Sequence, residues 1–261
     1  IGDGDWLALA QACGQQLADP QVAAVVITHG TDTLEETAWF LQCVLPAGKP
    51  VVLTCAMRPA SALSADGPAN LRDALACAAD GGALAWAQAG QPVLVVAAGE
   101  VHSAAAVRKV HAYQVHAFSS APAGPVAWVE EGRLRWAQRL PQQVVVKNAV
   151  PLPPLPWPWV EVVTSHAGAR AEGVDALVAA GVRGLVVAGT GNGTVHAAWL
   201  PALQRARAAG VPIVRTTRCA EGRIVQAPGQ DDAEVVDLPP LKARISLMLR
   251  CMSPSVPGPS P

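Results

Sequence analysis

Residues 23–41 constrain the fold more than any other stretch of this chain. Ala23, Ala24, Val25, Val26 and Ile27 form an apolar, largely β-branched run of the kind that fills a buried strand. The chain then crosses His29 and Gly30 into a polar knot, Thr31-Asp32-Thr33. Leu34, Ala38 and Leu41 follow at helical spacing. Two overlapping capping boxes, Asp32 to Glu35 and Thr33 to Glu36, mark the predicted start of that helix. Thr31 and Asp32 therefore fall between the carboxyl end of a strand and the amino end of a helix. Open α/β sheets bind ligands at that edge, among free backbone N–H groups. One cap is enough for a helix, so the segment carries more polar groups than its local structure requires.

The same alternation continues. Helical periodicity covers residues 5–18, through Trp6, Leu9, Ala10, Cys13 and Leu17, and leads to the strand at 22–28 and the helix at 33–45. A turn at 46–50 precedes a strand at 51–54, a long Ser-, Ala-, Pro- and Gly-rich loop at 56–70, a helix near 69–80 and a strand at 92–98. Connections of this length suit crossovers, so a parallel sheet covered on both faces is expected. The pattern breaks at the Pro-rich stretch 151–158, which favours an extended connection. It restarts as strand 159–164, helix 172–180, strand 184–188, helix 195–209 and strand 211–216, with a last helix near 239–251. The expected organisation is a larger N-terminal doubly wound, flavodoxin-like or Rossmann-like domain over 1–147, a linker over 148–158, a smaller parallel α/β domain over 159–252 and a flexible tail over 253–261.

Composition narrows the function classes. With 51% apolar and 15% charged residues the chain has material for a large core, and a net charge of −1 leaves no basic stripe for nucleic acid and no polybasic segment for a membrane. The longest apolar runs are strand-length, far short of a membrane span. Six cysteines at 13, 43, 55, 77, 219 and 251 include no Cys-x-x-Cys pair and no nearby His array, so reduced thiols and no zinc site are expected.

The string HGTDTLEETAWFL, from His29 to Leu41, resembles a signature motif of the bacterial-type L-asparaginases and glutaminase-asparaginases. Two further segments extend the resemblance. AMRP at 56–59 with SADGPANL at 64–71 is similar to the loop after that family's active-site strand, and Lys109 in VRKVH, followed by Phe118-Ser119, matches a family lysine. The resemblance implies that Thr31, Asp32 and Lys109 form one of two catalytic triads, with Gly30, Thr31, Asp32 and the backbone at Ala56 binding substrate. A partly desolvated lysine beside an aspartate can poise a hydroxyl or a water for attack. Read without the resemblance, Arg58 would pair with Asp66 to fix the loop, and Lys109 would be a solvated charge. Cys55 stands where the family usually has glycine, which implies a narrower pocket. His29 reads as scaffold, and the other five histidines receive no role.

The segment Gly189-Thr190-Gly191-Asn192-Gly193-Thr194 follows a buried strand, where a dinucleotide-binding loop would sit. The fingerprint fails, because position 194 is Thr and the next strand carries Arg215 in place of an acid. The segment is similar to a family loop that reaches a neighbouring subunit's active site, which implies roles for Asn192 and Thr194. Glu234 is the nearest match to an acidic family residue before the final helix.

The family's other triad rests on a threonine in a TGGT-type motif on a first strand, and a serine also binds substrate there. Neither lies in this chain, which begins with Ile1. The resemblance implies that the quoted polypeptide is inactive or nearly so and that its sheet lacks a central strand. It implies for the parent protein hydrolysis of the side-chain amide of L-asparagine, and of glutamine as a second substrate, in a homotetramer of dimers with shared sites. The cytoplasm is the expected compartment, with the periplasm as the alternative. The competing readings are a non-catalytic amino-acid-binding relative and an ammonia-producing amidotransferase subunit.

Overall fold

A computed structural model describes residues 1–139, 149–226 and 234–252. The predicted tail at 253–261, the last eight residues of the predicted N-terminal domain and residue 148 of the predicted linker lie outside the described residues. Contacts divide the chain into two compact units, Ile1–Leu152 and Pro153–Pro261.

In the first unit, α1 (Asp3–Ala18), β1 (Val25–Thr28), α2 (Leu34–Val44), β2 (Val51–Thr54), α3 (Gly67–Ala78), α4 (Gly81–Gln88) and β3 (Val93–Ala97) follow in chain order. β1, β2 and β3 are parallel neighbours in register, with Thr28 opposite Thr54 and Thr54 opposite Val96. Trp6 ties α1 to α2 by stacking on Phe40 at a centroid distance of 4.9 Å and by donating its indole N–H to Thr37 Oγ1. Beyond β3 the sheet departs from the all-parallel expectation. β4 (Glu100–Ser103) returns antiparallel after a two-residue turn in which Ala98 and Gly99 both take positive φ. β5 (Arg108–Lys109) and β6 (Phe118–Ser119) pair only with each other, and β7 (Ala127–Glu130) and β8 (Arg133–Trp136) extend the large sheet antiparallel. Its order is β1-β2-β3-β4-β7-β8. These late strands are two to four residues long and carry charged positions, so no apolar run announces them.

β1 stands at the edge of this sheet. Its residues are half-buried or exposed where those of β2 and β3 are buried, and no strand flanks it on the outer side among the described residues.

In the second unit, β9 (Val160–Thr164), α5 (Glu172–Ala179), β10 (Gly184–Gly189), α6 (Leu200–Ala208), β11 (Ile213–Thr217), β12 (Glu234–Val235) and α7 (Pro240–Met252) build a wholly parallel sheet, ordered β12-β11-β10-β9. Strand alternation divides its core between two faces. Leu185, Val187 and Ile213 pack with Val174, Leu203 and Ala206 of α5 and α6. On the other face Gly184 lies against Leu247 of α7, where an added Cβ would come within 3.0 Å of the leucine side chain. The expected helix at 195–209 opens instead as a 3-10 turn, Ala197–Trp199, capped by His196, with α6 starting at Leu200. Pro201 suits the first turn of α6 because it lacks an N–H to donate further inside.

Candidate active site

Parallel pairing puts the ends of β1 and β2 side by side, so residues 29–33 and 55–66 leave the sheet from one edge. The two capping boxes expected at the start of α2 do not form. Thr33 occupies the N-cap position with no side-chain cap bond. The polar side chains of this segment are turned instead toward β5.

There the structure brings two adjacent side chains together with a third from 77 residues further on. Lys109 Nζ donates to Thr31 Oγ1 at 2.8 Å and to Asp32 Oδ1 at 2.6 Å, and Thr31 Oγ1 lies 3.4 Å from the same carboxylate oxygen. The lysine side chain is 16% exposed and the Asp32 carboxylate 91% exposed, so the pair presents an open anionic face above a covered amine. The Lys109 hydrogen bond, reinforced by its charge, holds the Asp32 carboxyl below the ordinary carboxylate range. Asp32 Oδ1 is engaged by Lys109, and a second oxygen on an exposed carboxylate is well suited to an ammonium group. A Cβ added at Gly30 would meet nothing within 4 Å, so packing does not demand glycine there.

The second strand end supplies a cleft of about 380 Å³ lined by Thr28, His29, Thr54, Cys55, Ala56, Gly67 and Leu71. His29 Nδ1 donates to the Gly30 carbonyl at 2.6 Å, which fixes its tautomer. Cys55 is buried and its thiol is pushed up to about 12, chiefly by desolvation, with the Asp66 charge adding to the rise and the Lys109 charge opposing it. Ala56 is exposed beside it.

The loop that carries Ala56 is held differently from the expected Arg58–Asp66 ion pair. Asp66 accepts from the backbone N–H groups of Met57 and Arg58, each at 2.9 Å, while the Arg58 guanidinium donates to Ser64 through its carbonyl and hydroxyl oxygens. Asn70 reinforces the arrangement. Its amide donates to the Cys55 carbonyl at 2.9 Å and accepts from the Ala98 N–H at 2.9 Å, tying α3 to the ends of β2 and β3. Asp66 and Asn70 stand four apart at the start of α3, a spacing visible in sequence although their targets are not.

In the second unit, Thr190 and Thr194 exchange backbone hydrogen bonds at 2.8 Å, and Asn192 closes a two-bond ring with the backbone of Val225, donating at 2.9 Å and accepting at 2.7 Å. Gly189 is required here, since an added Cβ would sit 2.5 Å from the backbone of Gly193. The Glu234 carboxylate is taken up by Arg250 of α7, at 2.6 and 2.9 Å. Among the described residues there is no cluster of three or more His, Cys, Asp or Glu with the geometry to hold a metal ion, and no helix is long and apolar enough to cross a membrane.

Both units of the chain are similar to known proteins. Residues 1–142 match the family model described as Asparaginase, N-terminal, and residues 159–254 match that of the Glutaminase/Asparaginase C-terminal domain. The chain is 36% identical over 260 residues to a probable periplasmic L-asparaginase of Haemophilus influenzae, covering 95% of this chain and 71% of the relative. It is 39% identical over 248 residues to a glutaminase-asparaginase of Pseudomonas fluorescens, covering 90% of this chain and 65% of the relative. The chain thus spans less than two thirds of that second relative. Among solved structures, a probable cytoplasmic L-asparaginase from Campylobacter jejuni superposes with a TM-score of 0.85 at 33% identity, covering 97% of this chain and 81% of the other.

Proposed function

The chain belongs to the bacterial-type L-asparaginase and glutaminase-asparaginase family, and from that premise we propose that the protein hydrolyses the side-chain amide of L-asparagine to L-aspartate and ammonia, with glutamine as a second substrate. The observation that carries the reading is the Lys109 amine bridging the Thr31 hydroxyl and the Asp32 carboxylate.

In this proposal the free oxygen of Asp32 takes the substrate α-ammonium. The Lys109 amine serves as the base that accepts the proton of a hydroxyl or water as its oxygen attacks the amide carbon. Backbone N–H groups near Gly30 and Ala56 face the developing oxyanion, and the proton held on Lys109 returns to the nitrogen as ammonia leaves. Water completes the hydrolysis of any acyl intermediate. No metal or organic cofactor enters the scheme.

Finer assignments belong to the same proposal. Asn192 and Thr194 are candidates for a contribution to a neighbouring subunit's site in a tetramer built from dimers. Glu234 would have to exchange its Arg250 partner to contribute. Residues 148–158 would join the two domains. A cytoplasmic setting matches the description of the Campylobacter relative, and a periplasmic one that of the Haemophilus relative.

The test measures L-aspartate binding by calorimetry and ammonia release from L-asparagine for the unmodified protein and for Asp32→Ala, Thr31→Val and Lys109→Met. Binding that is lost in Asp32→Ala supports the site. An Asp32→Ala variant that binds L-aspartate like the unmodified protein would overturn it.

A further inference from the structure

We propose that Glu35 is a positioning residue for the Lys109 amine, an inference that rests on the reading of Lys109 as the partner of Thr31. Lys109 stands on a strand of two residues, β5, whose one strand partner among the described residues is β6, with Arg108 opposite Ser119 and Lys109 opposite Phe118. Past the lysine, the N–H groups of Val110 and His111 both turn to the Ala117 carbonyl, at 2.7 and 3.2 Å. The Lys109 N–H points elsewhere. It donates to Glu35 Oε2 at 2.8 Å, across a separation of 74 residues.

Glu35 lies in the first turn of α2, where a carboxylate also suits the helix dipole. It follows Asp32 by three positions and Thr31 by four, so one short segment supplies the hydroxyl, the carboxylate that holds the amine and the acceptor that holds the lysine backbone. A lysine side chain has four rotatable carbons, and its tip reaches a fixed point only if its Cα is fixed first. The large sheet cannot do this, because β5 does not belong to it. Glu35 supplies the attachment.

A merely structural Glu35 would stabilise the hairpin without governing the amine, and lysine chemistry separates the two roles. The unmodified chain, Glu35→Ala and Glu35→Gln are exposed to acetic anhydride, and acetylation of each lysine is followed by mass spectrometry. Lys49, whose amine is held by the carbonyls of Leu17 and Asp19, is the internal reference. Glu35→Ala is expected to raise Lys109 reactivity relative to Lys49 by about three-fold or more, as the amine leaves Thr31 and Asp32. Glu35→Gln keeps an acceptor oxygen and is expected to stay within about two-fold of the unmodified chain. An unchanged Lys109-to-Lys49 ratio in folded Glu35→Ala overturns the proposal, as does a Gln variant that behaves like Ala. If the alanine variant does not fold, Glu35→Asp, one methylene shorter, is read in its place: a raised Lys109-to-Lys49 ratio is expected and an unchanged one overturns the proposal. Failure of the unmodified protein to bind L-aspartate would overturn the reading of the site, while the lysine ratio still judges Glu35.

Discussion

Asp66 grips Arg58 by its backbone, with the Arg58 N–H 2.9 Å from Asp66 Oδ1, and leaves the guanidinium to Ser64. The loop that presents Ala56 is therefore organised by a carboxylate that accepts main-chain hydrogen bonds, an arrangement that tolerates change at Arg58 far better than at Asp66. Asp66→Ala is expected to destabilise the first unit by about 1–2 kcal/mol, and Arg58→Ala by less than about 0.5 kcal/mol. Denaturant titration of the two variants checks the ranking.

The same carboxylate makes part of the stability pH-dependent. Desolvation raises the Asp66 pKa, but hydrogen bonds from the N–H groups of Met57, Arg58 and Asp66 itself and from the Asn70 amide outweigh it, and the net shift is downward. A folded pKa below the unfolded one means that the contribution is complete above the ordinary carboxylate value. It fades as pH falls from there through the depressed folded value. Asp66→Asn should flatten the acid limb of a melting-temperature profile in that window and change little of its slope near neutrality. A variant whose acid limb matches the unmodified protein would count against the assignment.

Lys109 sets the titration of Asp32, first by its hydrogen bond and then by its charge. Lys109→Met is expected to return the Asp32 carboxyl toward the ordinary range. Carbon-13 NMR of labelled aspartate reads this directly. The substrate-binding consequence follows the same sign, since binding that depends on ionised Asp32 would fail at higher pH in the variant than in the unmodified protein.

Gly189 and Gly193 touch so closely that a methyl group has nowhere to go, because the obstruction is backbone rather than a movable side chain. Gly189→Ala is expected to cost about 2 kcal/mol or more and to loosen the Thr190–Thr194 turn. Gly30→Ala meets open space and should leave stability within about 0.5 kcal/mol. Thermal melts of the two variants, run side by side, give the comparison.

The cysteines should divide by burial. Desolvation pushes the Cys55 and Cys77 thiols up to about 12, whereas Cys219 is exposed. Maleimide labelling near neutral pH should therefore modify Cys219 first and spare Cys55 and Cys77 until the chain unfolds. Rapid labelling of Cys55 in the folded protein would show the cleft to be wetter than its geometry suggests.

How far the sequence alone carried depended on whether a signal was local. The strands at β1, β2 and β3 were legible as contiguous apolar, largely β-branched runs, although β1 is half-buried or exposed where a buried strand is expected, and the strand–polar–helix junction at Thr31 and Asp32 followed from the change of period. The segments that carry Lys109 and the Asp66 loop were legible by resemblance. Glu35 was seen and misplaced: an acid three residues after a polar residue fits a capping box, and nothing nearby in the sequence announces an N–H donor 74 residues on. Helix α4 was missed because Gly81 and Gly82 open it against propensity, although Asp80 caps it by accepting from the Gly82 N–H at 2.7 Å. The antiparallel end of the sheet was missed because strands as short as β5 and β6 are defined by their partners and carry no pattern of their own.

β1 meets the site at a sheet edge, three residues before Thr31. An edge strand offers its outward N–H and C=O groups to any extended segment, because backbone pairing is largely indifferent to side chains. The Thr31 hydroxyl and the Lys109 amine already stand 2.8 Å apart with no strand on that outer side among the described residues. A segment bound along β1 would therefore act as a splint on a site that is already assembled, with its concentration setting the stability of the fold around it.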